Sequence, residues 1–337
     1  MRGGALLVGL TLLMLFLLSA ARAALVNRHR GDWLAHAIGR LVCSVVSRLA
    51  ATRTRYDAVQ DVLAWILPLY ILALIVTWFL LVQLGFALIL WSTHVEAQLL
   101  PAVLASGSAL STLGFLTPPG AAGQLLAVLE GAMGLGVVVF FFTFIPGYQA
   151  AIQTRELKVA WLYARSGVNP SSMAFVEWLQ RSGNSAAASE VWEAWEEWFR
   201  LLAETVAIAP VLSIVPTLHR RQSWLIAAMV VLDAASFCLA TLEGKGLASA
   251  SVCHATGTEA LRLVAAKMSS RQAIHKSAAP LDSCADFDAM RGRMKMLGAP
   301  LRADEQRACE YYLALRKEYA VPLAELAATL RVPVRSV

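Results

Sequence analysis

The spacing of hydrophobic residues divides the chain into two halves. The first 150 residues contain long, nearly unbroken apolar runs, whereas apolar side chains in the second half recur every three or four positions. Three runs are long enough to cross a bilayer, which takes about 20 residues: Ala5–Val26, Val62–Trp91 and Gln124–Pro146. The pattern predicts an all-α membrane protein with three transmembrane helices and a further helical domain.

The distribution of charge indicates how these helices are oriented. Eight arginines and one acid, Asp32, precede Tyr56, which leaves 21 of the 29 basic and 22 of the 23 acidic residues for the rest of the chain. No lysine or arginine occurs from Tyr56 to Thr154. Because positively charged loops stay in the cytoplasm, we expect residues 28–55 to be cytoplasmic and residues 92–123 to lie outside.

The first apolar run has two interpretations. Ala21-Arg22-Ala23 imitates a signal-peptidase site, but cleavage there would export the basic segment that follows, against the positive-inside rule. We therefore expect an uncleaved helix that begins outside. The chain is then a multi-pass protein of the plasma (inner) membrane, and its C-terminal domain is cytoplasmic.

An amphipathic helix is predicted between the first two runs. Its apolar residues recur with helical spacing, away from Arg40 and Arg48, and they are Leu34, Ile38, Leu41, Val45 and Leu49. This helix is expected to lie either in the membrane interface, with Trp33 as an anchor, or against the cytoplasmic domain.

A run of small residues lies between the second and third transmembrane helices. Pro101 is tolerated in a first helical turn, and the segment from Pro101 to Leu110 is too short to span a membrane. It suits a re-entrant pore helix, which is allowed at membrane depth where protein or water surrounds it. Thr112-Leu113-Gly114-Phe115 follows this segment.

This tetrapeptide has the residue types of a potassium filter. Such a filter replaces the hydration shell of the ion with backbone carbonyls and one threonine hydroxyl. The backbone must alternate in handedness, which glycine allows at little cost. We therefore predict that Thr112, Leu113, Gly114 and Phe115 coordinate the permeating ion.

The residues after the tetrapeptide depart from the potassium-channel pattern Thr-Val-Gly-Tyr-Gly-Asp. Leu116 stands where the second glycine belongs, and Thr117 stands where the acid belongs. A leucine at positive φ is strained, so we expect the outermost carbonyl ring to be lost or rearranged. Filter support is expected from Ser108, Ser111, Leu116, Thr117 and Glu130, the last being an ionisable residue within a span.

Glycines mark the third transmembrane helix. Gly131, Gly134 and Gly136 follow Glu130 closely, and any of them could provide the bend by which an inner helix gates a pore. The same residues equally suit tight packing between helices, so both roles stay open.

The order of outer helix, pore helix, Thr-Leu-Gly-Phe and glycine-bearing inner helix resembles the bacterial two-span potassium-channel-like (ion channel pore-domain) proteins. The resemblance is to a branch with a helical cytosolic extension, whose loop also tends to lose the second filter glycine. It extends over nearly the whole chain through Phe144–Tyr148, Arg155-Glu156, Ala164–Gly167, Trp192–Trp198, Ser223-Trp224, Leu232–Ala235, Asp286–Asp288 and Gly298–Arg302. That branch has no established function to carry over; the placement of Thr112–Phe115 between two spans predicts a pore for a monovalent cation, with K⁺ the expected ion.

Four regions follow from this interpretation: an N-terminal transmembrane helix (1–27), a basic cytoplasmic amphipathic segment (28–61), a channel-like pore domain (62–150) and a helical cytoplasmic domain (151–337). One pore loop per chain requires four chains around an axis, so the partners are expected to be the lipid bilayer, the cation and three further copies in a homotetramer. The alternative is a non-conducting, channel-derived membrane scaffold or sensor, which Leu116 and Thr117 suggest.

The second half is expected to form a helical core. Three stripes of apolar residues at helical spacing indicate it: Trp192, Trp195, Phe199 and Leu202; Phe287, Met290, Met294 and Leu297; and Ala308, Tyr312, Leu315 and Tyr319. Ser223–Leu242 is apolar apart from Asp233. We expect a buried helix there and not a fourth span, because an unpaired aspartate at mid-membrane is costly.

Several kinds of chemistry are not expected. The five cysteines form no CxxC pair, and a reducing cytoplasm suggests free thiols (Cys43, Cys238, Cys253, Cys284 and Cys309). The histidines are isolated, and no nucleophile elbow, Walker loop or HExxH occurs. We therefore expect no enzyme activity, no cofactor and no metal beyond permeating K⁺. The concentration of the net charge of +6 near the N-terminus indicates orientation and not nucleic-acid binding.

Overall fold

The computed structural model describes residues 2–24, 32–181, 185–208, 211–217, 219, 222–243, 247–268 and 284–332. These ranges are almost entirely helical and contain no strand; one isolated antiparallel bridge pairs Leu242 with Leu301. Several helices are long and apolar enough to cross a membrane. The prediction of a helical chain with membrane-length helices is therefore confirmed.

The described ranges contain thirteen helices. They are α1 (Arg2–Ala24), α2 (Trp33–Ala51), α3 (Tyr56–Leu63), α4 (Ile66–Ser92), α5 (Leu99–Leu110), α6 (Gly120–Ser166), α7 (Ser172–Arg181), α8 (Ser185–Ile208), α9 (Val211–Ile214), α10 (Trp224–Thr241), α11 (Leu247–Met268), α12 (Ala285–Met296) and α13 (Glu305–Leu330). They belong to two compact units. The first unit comprises Met1–Arg48 and Trp65–Gln149, and the second comprises Leu49–Ala64 and Ala150–Val337.

Close backbone contact joins α1 to α4 in the first unit. A Cβ atom on Gly9 would lie 2.8 Å from the carbonyl oxygen of Gly85, so these two helices meet where neither has a side chain, as small residues permit in membrane helices. Farther along, the indole N–H of Trp78 donates to the hydroxyl of Ser19 across 3.0 Å. The indole is thereby satisfied inside an apolar contact.

A buried aspartate sets the start of α2. Ser19 Oγ donates to Asp32 Oδ2 across 2.5 Å, and the backbone N–H of Leu34 donates to Asp32 Oδ1 across 3.0 Å. The second bond supplies one of the partners that the first turn of a helix lacks. Asp32 thus caps α2 and ties it to α1.

The buried face of α2 differs in part from the predicted stripe. Ile38 is buried as expected, but its buried neighbours along the helix are Val42 and Val46. Leu41 and Val45 are exposed, at 66% and 47%. The apolar surface of α2 is therefore wider than its contact with the rest of the chain, because residues on two adjacent faces are hydrophobic.

The second unit is built around α10. This helix has the length and composition of a membrane span, yet 94% of it is buried. Most residues of the three predicted stripes lie in one core, against which the partly buried Leu297 packs. Leu315 is buried but lies outside that core cluster. The core members are Trp192, Trp195, Phe199, Leu202, Phe287, Met290, Met294, Ala308, Tyr312 and Tyr319. Aromatic contacts dominate there, as between Phe237 and Phe287, whose ring centroids lie 5.7 Å apart.

The expectation of five free thiols is wrong for Cys284 and Cys309. These two residues form a disulfide, with their Cα atoms 6.3 Å apart, while Cys43, Cys238 and Cys253 are free. The packing of α12 beside α13 brings the two sulfurs together. A sequence separation of 25 residues does not reveal this contact, because it depends on the tertiary fold.

Candidate functional site

The short helix α5 forms one side of the candidate site in the first unit. It begins two residues before Pro101, which lies in its first turn, and ends at Leu110 as predicted. Ala102 and Ala105 are buried, and Ala102 packs in one cluster with Ala87 and Leu90 of α4. Small side chains thus allow α5 to lie close against α4.

The loop that follows α5 alternates in backbone handedness. Thr112 has φ of 57° and Gly114 has φ of 68°, whereas Leu113 and Phe115 between and after them do not have positive φ. Positive φ costs glycine little, but for a threonine it is an unusual conformation that the surroundings must hold in place. Leu116 does not adopt positive φ, so it avoids the strain that a leucine would have in that conformation.

Ser108 holds the loop against the end of α5. Its backbone carbonyl accepts from the N–H of Gly114 across 3.2 Å, and its hydroxyl accepts from the N–H of Leu116 across 2.9 Å. Ser108 itself is fully buried. One residue therefore fixes the backbone on both sides of Phe115.

Ser111 and Thr117 were also predicted to support the loop. Their side chains do not make the contacts that Ser108 makes. Ser111, which directly follows α5, donates its hydroxyl back to the carbonyl of Gly107 in that helix across 2.6 Å. Thr117 is exposed. The loop side chains also point away from the chain: Leu113 is 73% exposed and Phe115 is 63% exposed. The loop thus presents apolar side chains and its own backbone outward.

Glu130 of α6 lies fully buried behind α5. The hydroxyl of Ser106 is within hydrogen-bonding distance of Glu130 Oε1 and also of the carbonyl of Gln83, the latter across 2.8 Å. Among the described residues Glu130 Oε2 has no hydrogen-bond partner. The amide of Gln83 donates to the carbonyl of Val103 across 3.4 Å, so three helices meet through these polar groups.

Gln83 and Ser106 were missed by the sequence analysis. Gln83 is half-buried and interrupts an otherwise apolar stretch of α4, and an amide shielded from water needs hydrogen-bond partners. A polar residue within this apolar run was the sequence feature that could have indicated its role. Ser106 is one of several small residues in α5, and nothing local distinguishes it from Ser108 or Ser111.

The three glycines of α6 have different surroundings. A Cβ atom on Gly134 would lie 2.5 Å from the carbonyl oxygen of Leu110, and one on Gly131 would lie 3.2 Å from that of Ala109. Gly136 has no atom within 4 Å of such a position. Gly134 and Gly131 therefore allow α6 to approach the end of α5, whereas Gly136 is free of this packing. The helix is continuous through all three residues.

An apolar stripe on α6 is exposed in the single chain. Its members follow one another at intervals of three, seven, four and three residues and so share one helix face: Leu125, Val128, Leu135, Val139 and Phe142. This stripe and the loop after α5 are the main apolar surfaces of the candidate site.

A small cavity is present in the second unit. It has a volume of about 150 Å³, between α6, α8 and α9, with largely apolar walls that include Trp198 and Leu202. The one cation at its wall, Arg155, donates to the carbonyls of Leu212 and Val215 across 3.0 Å each. These hydrogen bonds occupy the guanidinium of Arg155 and fix the segment that follows α8. The cavity therefore has few polar groups with which to bind a ligand.

No protein-family model, no curated protein and no solved structure matches this chain. Among the described residues no group of three or more His, Cys, Asp or Glu side chains is placed to hold a metal ion.

Proposed function

We propose that the chain is one subunit of a homotetrameric, potassium-channel-like cation pore with a degenerate selectivity filter. The observation that carries the proposal is that Ser108 hydrogen-bonds to the loop after α5, in which Thr112 and Gly114 have positive φ. Alternating handedness turns successive carbonyls toward one side of the backbone, which is the arrangement by which a filter coordinates a dehydrated cation.

The exposure of the loop supports assembly around an axis. One copy presents Leu113 and Phe115 to its surroundings, and a large exposed apolar surface indicates a contact with another molecule. Four loops facing one another would supply rings of carbonyls from Thr112 to Phe115. The exposed stripe of α6, which includes Leu135 and Phe142, would then face lipid, neighbouring copies or the pore.

We further propose three spans, formed by α1, α4 and the first part of α6, with α5 re-entrant and the second unit in the cytoplasm. Arg2, at the start of α1, donates to the carbonyl of Ala97 across 3.3 Å and lies over the ring of Trp91 at 5.5 Å. These contacts support antiparallel α1 and α4. The burial of α10 favours its exclusion from the bilayer.

Leu116, which replaces the second glycine of a potassium filter, is expected to reduce the ion selectivity of the proposed pore. Its N–H donates to Ser108, and its φ is not positive, so this residue does not continue the alternation beyond Phe115. A filter with one carbonyl ring fewer has fewer ion sites in single file, which weakens discrimination. The proposed pore therefore prefers potassium over sodium less strongly than a Thr-Val-Gly-Tyr-Gly filter.

Flux measurements on liposomes containing the purified protein test the proposal. Gly114→Ala should abolish potassium flux, because alanine at a φ of 68° is strained and adds a Cβ to the filter backbone. Gly120→Ala is the matched control, since Gly120 has φ of 75° and, like Gly114, no atom within 4 Å of an added Cβ. It should retain flux. Equal, negligible currents in wild type and Gly114→Ala would contradict a conducting pore.

A second candidate is a non-conducting, channel-derived membrane scaffold or sensor. It is favoured by Leu116 and Thr117, which replace the second glycine and the acid of a potassium filter. This candidate predicts a tetramer without flux whose assembly survives Gly114→Ala. Measuring the oligomeric state together with flux separates the two candidates.

A further inference from the structure

The disulfide of the second unit joins the beginning of one helix to another helix. Cys284 immediately precedes α12, and Cys309 lies in the second turn of α13. We propose that these two cysteines are a reversible redox site that exchanges with low-molecular-weight thiols and disulfides of the glutathione type. The other three cysteines of the chain are free thiols and form no part of the site.

The proposal rests on the cytoplasmic location proposed above for the second unit. Glutathione and thioredoxin systems keep most cytoplasmic cysteines reduced, and the disulfides that do form there are usually transient or redox-sensing. A pair whose Cα atoms lie 6.3 Å apart in the folded chain meets the geometric requirement for a disulfide. Folding thus brings Cys284 and Cys309 close enough to bond, and whether the disulfide forms depends on the redox state of the compartment.

The two sulfurs differ in access. Cys309 is only 5% exposed, whereas Cys284 is partly exposed. A reductant thiolate therefore attacks Sγ of Cys284, the S–S bond breaks, and Cys309 leaves as a thiolate that takes up a proton. A second reductant thiolate then displaces Cys284 from the mixed disulfide. Two electrons pass to the cysteine pair, and the two reductant thiols become a disulfide.

Reduction is expected to loosen the chain before Phe287, at the very start of α12, and to leave the rest of the unit folded. The covalent bond is at that end, while Phe287 keeps its contacts with Phe237 and with Tyr312, whose ring centroids lie 5.7 and 5.4 Å away. Beyond the other end, the N–H of Arg302 donates to the carbonyl of Thr241 across 2.8 Å. These contacts do not involve sulfur and persist when the bond breaks.

Thiol counting on the full-length protein in nanodiscs tests the site. The protein is equilibrated at a series of ratios of reduced to oxidised glutathione, quenched in acid, and labelled with a maleimide mass tag in denaturant. We expect five tags at the reducing end and three at the oxidising end, with the change reversible. Cys284→Ser combined with Cys309→Ser should give three tags throughout. Cys238→Ser, which removes a buried free thiol, is the matched control and should keep a difference of two tags.

Two further measurements test the direction of attack and its consequence. Cys309→Ser should accept a glutathione adduct on Cys284, whereas Cys284→Ser should leave the buried Cys309 unmodified. Amide hydrogen exchange at the start of α12 should rise on reduction in the wild type and be insensitive to reductant in the double variant. Five tags at every ratio, or three at every ratio in the folded protein, would overturn the proposal. These readouts are independent of ion flux, so their failure is distinguishable from failure of the pore.

Discussion

Arg316 of α13 and Asp233 of α10 form a buried ion pair, in which Arg316 Nε donates to Asp233 Oδ1 across 3.0 Å. The hydroxyl of Tyr319 donates to the same carboxylate oxygen. Burial alone would lower the pKa of Arg316, but the facing Asp233 carboxylate raises it on balance. Asp233 is the one charged residue of α10, so the pair compensates the charge that this apolar helix brings into the core of the second unit.

Removing one partner of this pair should strongly destabilise the second unit. Asp233→Ala leaves Arg316 buried without its counter-ion, and breaking a buried pair in this way costs about 3–5 kcal/mol. Arg200→Ala is the control, because Arg200 is exposed and pairs with Glu196 along one helix, an interaction worth about 0.3–0.5 kcal/mol. Denaturant unfolding followed by tryptophan fluorescence measures both. Similar small losses in the two variants would contradict the importance of the pair.

The second unit should lose stability in mildly acidic solution through His254. This side chain is 3% exposed, and burial lowers its pKa below the ordinary value of 6.5; Glu318 and the Leu315 backbone oppose this shift, and Arg262 adds to it. The unfolded state therefore binds a proton at a higher pH than the folded state. Stability is full above pH 6.5 and declines as pH falls toward the folded pKa, by up to about 1.4 kcal/mol per pH unit.

His254→Phe should flatten this dependence, whereas His219→Gln should leave it unchanged, because His219 is exposed. Unfolding midpoints in denaturant between pH 5 and pH 8 measure the slope. An unchanged slope in His254→Phe would assign the acid sensitivity to other groups.

The sequence was most informative where structure is local. The apolar runs and the small residues before Thr112 were enough to predict α5 and the loop between two long helices, because length, hydropathy and glycine act within a few residues. The partners of these residues were not predictable. Ser108 bonds Leu116 through a turn whose shape depends on Gly114, and Asp32 meets Ser19 only because the fold brings the start of α2 to α1.

The same limit applies to the second unit. Asp233 was expected to be buried, but Arg316 lies 83 residues away in the chain, and nothing in the spacing of either residue indicated the other. The disulfide was missed for the same reason, since a distant pair of cysteines becomes adjacent only after α12 packs beside α13.

Ser108→Ala should weaken the selectivity of the proposed pore. The substitution removes the hydroxyl that accepts from the N–H of Leu116 and frees the outer side of the loop. Ser111→Ala is the matched control, because the Ser111 hydroxyl bonds back to α5, to the carbonyls of Gly107 and Ser108, and not to the described residues of the loop. We expect the potassium-to-sodium permeability ratio to fall several-fold in Ser108→Ala and to stay near wild type in Ser111→Ala. Bi-ionic reversal potentials in planar bilayers give this ratio.

Gly134→Ala and Gly136→Ala should distinguish a glycine needed for helix packing from one needed for bending of α6. A Cβ on Gly134 clashes with the carbonyl of Leu110, whereas a Cβ on Gly136 meets nothing within 4 Å. Gly134→Ala should therefore lower thermal stability and disturb the loop of the proposed filter. Gly136→Ala should fold and assemble normally, and if α6 bends there its open probability should fall. Assembly that is normal in both variants would show that the close approach at Gly134 can relax.

Leu116→Gly should sharpen the selectivity of the proposed pore for potassium. Glycine makes positive φ available at this position at little cost, so the alternation of Thr112 and Gly114 can continue outward and restore a carbonyl ring. Thr117→Gly is the matched control, since it adds the same backbone freedom one residue farther along, where no filter carbonyl is expected. We expect a higher potassium-to-sodium permeability ratio in Leu116→Gly alone. An equal rise in both variants would attribute the effect to general loosening of the loop, and a lower ratio in Leu116→Gly would mean that the side chain of Leu116 itself supports the filter.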